Sequence, residues 1–181
     1  MTLWRIATDT PDYVADDRSG AGARVSGGRW NRPGTPMIYC AESIALACLE
    51  TVVHLNLHGL PFNRYLVAID VPRAVWDAAT VQDPASMVGW DALPHGRISL
   101  DAGESWVAEN ASLLCCVPSV VVPREHNILI NPRHQDADRL TFRKLEKWTY
   151  DMRLSQHGSS IASPIVPPTN ETTHSRASLK P

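Results

Sequence analysis

The sequence predicts one α+β domain, because several short β-prone segments occur with few helices and the two kinds do not alternate strictly. The chain has 181 residues, of which 44% are hydrophobic, so it can bury one sizeable core and leaves little room for a second. The composition changes at Ser155, where serine, threonine and proline begin to dominate. We therefore divide the chain into a globular part, 1–154, and a tail, 155–181.

Five short segments have the composition of β-strands. They are rich in β-branched and aromatic residues and are bounded by residues that favour turns. Pro118 and Ser119 interrupt the fourth of them. The predicted strands are residues 3–7, 37–40, 65–71, 113–122 and 127–131.

The clearest helix covers residues 43–54, with Ser43 in the N-cap position. Its apolar residues surround almost the whole circumference, which is typical of a buried helix. Helical spacing of Leu140, Leu145 and Trp148 predicts another helix over residues 138–148. A third helix is predicted to start after Gly103, over residues 105–109.

The remaining segments have no regular hydrophobic period. Residues 11–25 are predicted to be a loop with one helical turn, and residues 73–96 a loop with short helices. The tail has too few apolar residues to fold alone, and we expect it to be disordered or an extended arm.

The charge balance disfavours some classes of function. The formal net charge is −2, whereas proteins that bind nucleic acid through phosphates usually carry a basic excess. A ribonuclease and direct nucleic-acid binding are therefore disfavoured. The first residues do not resemble a signal peptide, and no apolar segment approaches the ~20 residues that span a bilayer. We expect a soluble cytoplasmic protein without membrane contact.

Glu50 is the most informative residue of the predicted helix, because it is the one carboxylate among apolar neighbours. An ionised carboxylate is costly to bury without a partner, so Glu50 must be paired, protonated or functional. Two structural alternatives remain open. Glu50 lies on a wetter edge of the helix, or it pairs with His54 one turn later.

The segment GGRWNRPG places Arg29 and Arg32 on a glycine-rich loop. A guanidinium group suits a phosphate or carboxylate because its planar fork donates two hydrogen bonds at once, and glycines allow the backbone to approach a ligand. The alternative is a surface loop with solvated arginines. The sequence contains neither the Walker phosphate loop nor the dinucleotide fingerprint Gly-x-Gly-x-x-Gly.

Tyr39 and Ser119 are weaker candidates on their own. The Tyr39 ring could stack on a planar ligand, although a lone tyrosine is more often a core residue. Ser119 interrupts a β-prone run, and such breaks often direct a side chain into a cleft. A serine hydrolase is disfavoured because the Gly-x-Ser-x-Gly elbow is absent.

Cysteine and histidine spacing does not predict a metal site. The four cysteines, at positions 40, 48, 115 and 116, fit no zinc pattern and are expected to be buried, reduced thiols. If residues 115 and 116 lie in a strand, their side chains point to opposite faces. His54 and His58 have the spacing of metal ligands on a helix, but no third ligand is evident.

Taken together and in order, three segments resemble the RES domain family. They are GGRWNRPGTPMIYCAES, LACLETVVHL and VPSVVVPREHNILINPRH. The arginine, glutamate and serine for which the family is named correspond here to Arg29, Glu50 and Ser119. The resemblance covers residues 3–154 and excludes the tail.

The resemblance implies a single domain with the fold of ADP-ribosyltransferases, in which mixed sheets are flanked by helices. It also implies that the protein is the toxin of a bacterial toxin–antitoxin pair. Such a toxin splits nicotinamide from NAD by hydrolysis or phosphorolysis and so depletes the cell of NAD. The alternatives are transfer of ADP-ribose to a protein, or a non-catalytic NAD-binding module. NAD is the substrate, and no metal is expected. The implied partners are an Xre-like helix-turn-helix antitoxin that blocks the active site and a second copy in a homodimer.

The resemblance also implies roles for individual residues. Glu50 stabilises the positive charge that develops on the ribose. Arg29 clamps the pyrophosphate or orients the ribose. Tyr39 stacks on or binds near the nicotinamide, and Ser119 bonds the ribose or the carboxamide.

Two further residues are assigned to the NAD-binding site with less definite roles. Arg5, on the first strand, adds a second phosphate contact. Trp30 follows Arg29 directly and either forms a wall of the pocket or packs in the core.

Overall fold

A seven-stranded sheet organises the protein. The structure, a computed structural model, describes residues 1–53 and 62–154, which confirm the predicted α+β class. The predictions for the tail and for His54 and His58 lie outside the described residues.

The sheet is antiparallel except at one edge. Its order is β4-β5-β6-β2-β1-β3-β7, and only β4 and β5 run parallel. The five predicted strands are confirmed to within a few residues. The strands are β1 Thr2–Ala7, β2 Ile38–Ala41, β3 Tyr65–Asp70, β4 Thr80–Val81, β5 Leu114–Pro118, β6 His126–Ile130 and β7 Thr141–Lys147.

The helices lie in the connections between strands. They are α1 Ala21–Ser26, α2 Ile44–Val52, α3 Arg73–Asp77 and α4 Arg97–Glu109, with 3-10 turns at Pro84–Ser86 and Ala137–Arg139. None of the helices in the described ranges has the length and hydrophobicity needed to cross a bilayer.

The two faces of the sheet bury different groups of side chains. The first face, with Leu3 and Ile128, forms one large core that includes Ala15 from the loop after β1. The second face carries two smaller cores. One surrounds Trp30 and Leu129, and the other lies beneath α2. We call this second side of the sheet the α2 face, and the candidate site described below lies on it.

Helix α2 begins as predicted, because the Ser43 hydroxyl accepts a hydrogen bond of 3.0 Å from the backbone N–H of Leu46. The expectation that α2 is buried on all sides was wrong. Leu46 and Ala47 pack on the sheet, whereas Leu49 is 37% exposed. Among the described residues, α2 packs against one face of the sheet, on β1 and β2.

The predicted helix over residues 138–148 was also wrong. Residues Thr141–Lys147 form strand β7, which pairs antiparallel with β3 along its whole length. The helical spacing of Leu140, Leu145 and Trp148 was misleading, because Leu145 is 46% exposed and contributes little to the core. Pairing with β3 outweighs the weak local preference of this segment for a helix.

Helix α4 starts eight residues earlier than predicted, at Arg97. Gly103 was interpreted as preceding the helix but lies inside it, in contact with the loop that carries Trp30. A Cβ atom at Gly103 would lie 2.0 Å from the Trp30 carbonyl oxygen. Glycine is therefore required at this position by close packing.

The four cysteines are free thiols, as expected. Cys115 and Cys116 point to opposite faces of β5 and join different cores. Burial raises the pKa of Cys40 to about 12 and that of Cys116 to about 11. These thiols therefore remain protonated at neutral pH. Cys48 is only partly buried.

We predict that Gly103→Ala destabilises the protein by about 1–3 kcal/mol, because the new methyl group meets a backbone atom that cannot move aside. The gain in helix propensity, about 1 kcal/mol, does not offset this clash. Thermal or urea unfolding measures the change. Gly22→Ala in α1 is the matched control, since its Cβ would lie 3.4 Å from the Tyr13 ring. Equal stability of the two variants would contradict the prediction.

Candidate functional site

The centre of the candidate site is the Glu50 carboxylate on the half-buried side of α2. Its Oε1 atom accepts a hydrogen bond of 2.7 Å from the Ser119 hydroxyl and a short one from the Asn127 amide. Two donors from different strand ends therefore fix one carboxylate oxygen. Within the described ranges, no residue bonds Oε2, so this oxygen remains available to a ligand.

Ser119 is held in a tight turn that follows β5. The strand ends at Pro118, and the fully buried Ser119 hydroxyl accepts hydrogen bonds from the backbone N–H groups of Val121 and Val122, at 3.1 and 3.0 Å. Its own proton is donated to Glu50. The hydroxyl thus connects the turn to the carboxylate.

Asn127 was missed by the sequence analysis. It lies at the start of β6, directly opposite Ala41 of β2, and its side chain is on the α2 face together with Leu129. The alternation of NILIN contained the signal. A strand that starts with a polar residue on its inward face places that residue at the rim of the core.

Arg29 lies close enough to Glu50 for their charges to interact. Burial lowers the pKa of Arg29, and the negative charge of Glu50 partly offsets this effect. One terminal nitrogen, Nη1, donates to the carbonyl oxygens of Trp90 and Ala92, at 2.8 and 3.0 Å. Within the described part of the chain, Nε and Nη2 have no hydrogen-bond partner. The guanidinium therefore holds a backbone segment and still has donors for an anion.

Trp30 packs in the core behind this arginine. Its side chain is buried and stacks on Trp90, with ring centroids 6.2 Å apart and an interplanar angle of 21°. Of the two alternatives left open by the sequence, the structure favours core packing. The stack and the Arg29 hydrogen bonds hold the same segment, residues 87–92.

Tyr39 lies on the α2 face of β2, opposite Leu129. Its hydroxyl accepts a hydrogen bond of 3.1 Å from the Trp30 backbone N–H and donates one of 2.7 Å to Asn31. A Cβ atom at Gly28 would lie 2.6 Å from this hydroxyl, which explains the glycine. Burial raises the pKa of Tyr39, so the hydroxyl stays neutral. Both hydrogen bonds of the hydroxyl thus go to the loop. The side chain is partly exposed, so its ring could contact a ligand.

Asn31, also missed by the sequence analysis, is the internal support of the loop. Its side chain is completely buried and its amide nitrogen lies 2.9 Å from the carbonyl oxygens of Ala23 and Thr35 and 3.1 Å from that of Arg32. Its oxygen accepts the Tyr39 hydroxyl proton. The sequence did not predict this role, because a single asparagine in a polar loop has no distinctive pattern.

Arg32 is not directed towards Glu50. It forms ion pairs with Glu104 and, at 2.6 Å, with Asp101, and both partners belong to α4. The second arginine of the loop thus attaches the loop to α4. This pairing replaces both sequence-based alternatives for Arg32, an anion ligand and a solvated side chain.

The structure does not bring Arg5 to the site. Arg5 has the same orientation on β1 as Leu3 and Ala7, so its side chain extends from the first face, opposite the face on which Glu50 lies. Burial lowers its pKa, and electrostatic interactions with Cys40 and Asp17 partly offset the effect. The predicted phosphate contact by Arg5 therefore has no geometric support.

Four of the predicted site residues thus come together on the α2 face. Arg29, Tyr39, Glu50 and Ser119 converge from a loop, two strand ends and a helix, and Asn127 completes the group. In the described ranges, no three histidine, cysteine or acidic side chains are grouped as metal ligands. What converges here is a fixed carboxylate, a partly free guanidinium and an aromatic ring.

Comparison with known proteins identifies similar sequences. The RES domain family model matches residues 2–153. The Prs ADP-ribosylating toxin of Sphingobium sp. is 55% identical over 154 residues, which are 84% of this chain and 96% of the relative. Its alignment thus covers nearly the whole of that toxin.

Two further relatives are both named Toxin Res. The protein from Pseudomonas putida is 36% identical over 156 residues, which are 85% of this chain and 99% of the relative. The protein from Photorhabdus laumondii is 34% identical over 136 residues, which are 75% and 85% of the two chains.

We predict that Asn31→Ala lowers the free energy of unfolding by about 2 kcal/mol or more, because it removes a buried amide that donates to the Ala23, Arg32 and Thr35 carbonyl oxygens and accepts the Tyr39 hydroxyl proton. Urea unfolding measures this loss. Asn63→Ala is the control, since Asn63 is exposed and donates one hydrogen bond, to the Asp9 carbonyl. We expect a change of about 0.5 kcal/mol or less there. Similar effects of the two substitutions would show that Asn31 does not support the loop.

Proposed function

The chain belongs to the RES domain family, and from that premise we propose that it is a toxin that breaks the nicotinamide–ribose bond of NAD. The observation that supports this proposal best is the Glu50 carboxylate, fixed by Ser119 and Asn127 within electrostatic range of Arg29.

Glu50 supplies the main electrostatic contribution to the reaction. When the bond between the ribose C1′ atom and the nicotinamide nitrogen breaks, positive charge develops on the sugar, as in glycoside hydrolysis. A carboxylate that is already oriented stabilises this charge without reorganisation. Nicotinamide leaves with the bonding electrons as a neutral base, so no acid is needed to protonate it.

The other residues bind and orient the substrate. The free Nε and Nη2 donors of Arg29 suit the pyrophosphate, whose oxygens accept two hydrogen bonds from one guanidinium. The Tyr39 ring offers a stacking surface for the nicotinamide. Because the Ser119 hydroxyl already bonds Glu50 and its own turn, Ser119 orients the carboxylate and does not contact the sugar.

We propose a protein as the acceptor of ADP-ribose. A nucleophilic side chain of the target forms the new bond to C1′ and loses its proton, which balances the departure of nicotinamide. This proposal rests on the relative that is 55% identical and is named Prs ADP-ribosylating toxin. The RES domain model, which matches residues 2–153, covers all the residues assigned to catalysis here by the family resemblance.

Hydrolysis or phosphorolysis of NAD is the second candidate. Glu50 is only partly buried, so water or inorganic phosphate can reach its carboxylate as well as a protein can. The relatives named Toxin Res carry no acceptor in their names. A glycohydrolase or phosphorylase would use the same residues and differ only in the nucleophile.

The cellular context follows from the family. We propose that residues 1–154 are the toxin domain, with an ADP-ribosyltransferase-like fold, and that it acts in the bacterial cytoplasm. An Xre-like antitoxin would cover Glu50, and two copies of the toxin would form a homodimer within that complex.

We predict that purified protein releases nicotinamide from NAD in the presence of its acceptor, and that Glu50→Gln lowers the rate at least about 100-fold. Arg29→Ala is expected to lower it as well, mainly by weakening NAD binding. The assay is chromatographic measurement of free nicotinamide in a cell lysate supplemented with NAD. Glu42→Gln is the matched control, because Glu42 is an exposed carboxylate just before α2. A full rate for Glu50→Gln would refute the assignment.

The acceptor is identified with NAD labelled in its adenylate part. Label in a protein band, absent with Glu50→Gln, supports protein ADP-ribosylation. Nicotinamide release by the purified protein alone supports hydrolysis, and a rate that rises with inorganic phosphate supports phosphorolysis. Folded protein free of antitoxin that shows none of these activities would leave only an NAD-binding module.

A further inference from the structure

Asp91 is a carboxylate beside the candidate site to which the proposed mechanism gives no role. Arg29 donates through Nη1 to the carbonyl oxygens of the residues on either side of it, Trp90 and Ala92, at 2.8 and 3.0 Å. Burial lowers the pKa of Arg29, and the negative charges of Glu50 and Asp91 partly offset this effect. One guanidinium thus interacts with two carboxylates, one on α2 and one on the segment that it holds.

The position of Asp91 is fixed by its neighbours. The Trp90 ring stacks on the buried Trp30 ring, with centroids 6.2 Å apart. Met87, four residues before Asp91, is buried in the same core, and its carbonyl oxygen accepts a hydrogen bond of 3.0 Å from the Trp90 backbone N–H. The Arg29 hydrogen bonds complete this support. Asp91 therefore lies on an anchored turn, and its charge has a defined place at the rim of the site.

The charge of Asp91 is exposed to solvent and has no close partner of opposite sign. The side chain forms no ion pair and no hydrogen bond with any described residue. The acids of α4 differ from it, since Asp101 and Glu104 both pair with Arg32. Asp91 and Glu50 thus share the positive charge of Arg29, which leaves this group of three side chains with a net negative charge.

Binding of NAD, as proposed above, would occupy the remaining donors of Arg29. Its Nη1 atom holds the segment with Asp91, and Nε and Nη2 are assigned to the pyrophosphate, so no donor remains for a second anion. An anionic acceptor that approaches the ribose then meets the charges of Glu50, Asp91 and the pyrophosphate together. A neutral or cationic acceptor meets no such repulsion. The charge at the rim therefore discriminates between acceptors.

We propose that Asp91 is a specificity residue, whose charge excludes inorganic phosphate from the ribose and admits an uncharged or positively charged side chain of an acceptor protein. The exposed apolar side chains of Val88 and Leu93, on the same segment, suit contact with a protein better than with a small anion. Asp91 acts on the entry of the acceptor and not on the breaking of the bond. The inference rests on the proposed cleavage of the nicotinamide–ribose bond.

Anion binding tests the charge of Asp91 without any turnover. Inorganic pyrophosphate is titrated calorimetrically into the full-length protein at low ionic strength. Asp91→Asn is expected to lower the dissociation constant about threefold or more, because it removes a repulsive charge beside Arg29. The difference should vanish in about 1 M sodium chloride, where the screening length is only about 3 Å. A loss of packing would not depend on salt in this way.

Two variants control the titration. Arg29→Ala is expected to abolish the binding of pyrophosphate, and Asp12→Asn, which neutralises an exposed carboxylate of another loop, is expected to bind it as the original protein does. Equal dissociation constants for the original protein and Asp91→Asn at low ionic strength would overturn the inference. Binding that survives Arg29→Ala, or no binding by any variant, would overturn it as well.

Nicotinamide release from NAD, with and without inorganic phosphate at constant ionic strength, tests the choice of acceptor. Phosphate is expected to leave the rate of the original protein unchanged and to raise that of Asp91→Asn about threefold or more. In that reaction a phosphate oxygen forms the new bond to C1′ and gives its proton to solvent, and nicotinamide leaves with the electrons of the old bond. Asp91→Glu, which keeps the charge, is expected to exclude phosphate again.

The outcomes separate this inference from the proposed function. A rate of the original protein that rises with phosphate would overturn the role of Asp91 and leave the cleavage of NAD intact. Phosphate without effect on Asp91→Asn, or an equal effect on Asp91→Glu, would also overturn it. No nicotinamide release by any variant, even in a cell lysate, would refute the proposed function and the selection of acceptors with it.

Discussion

The loop between α1 and β2 is held in shape by hydrogen bonds from one buried side chain, Asn31, to backbone carbonyl groups. The rest of the candidate site depends on these bonds. The Asn31 amide donates to the Ala23 and Thr35 carbonyl oxygens from inside the loop. Once this residue is fixed, the residues on either side of it diverge. Arg29 extends towards Glu50, Trp30 enters the core, and Arg32 reaches α4. The buried Asn31 amide thus fixes the directions in which Arg29, Trp30 and Arg32 extend.

Helix α2 is the second organising element, since its sides have different chemical surroundings. One side presents Glu50 to donors from β6 and the turn after β5. Another packs in the core that contains Trp148 and Tyr150. The helix therefore holds its one carboxylate on one side and packs apolar side chains on another. An almost wholly apolar helix therefore contributes to the candidate site through one residue, Glu50.

Much of the sheet could be predicted from sequence, because its central strands are short apolar runs bounded by turn residues. Strand β7 could not, since it is an edge strand with exposed charged residues, and only pairing with β3 makes it a strand. Among the site residues, Arg29, Glu50 and Ser119 were found through their order along the chain. The separation of Arg5 from them depends on strand orientation, and the roles of Asn31 and Asn127 depend on contacts between distant segments. The alternation in NILIN places Asn127 on an inward face, but no local pattern reveals its contact with Glu50, the contacts of Asn31 or the separation of Arg5.

The two hydrogen bonds that Arg29 donates to Trp90 and Ala92 end on carbonyl oxygens, not on side chains. Every amino acid provides the same carbonyl group. The side chains of this segment and its surroundings can therefore diverge during evolution while the arginine stays in place. Val88 and Leu93, 88% and 79% exposed, are two positions whose side chains can change without loss of core packing. The rim of the site can thus acquire a new molecular surface while the arrangement of its charged groups is inherited unaltered.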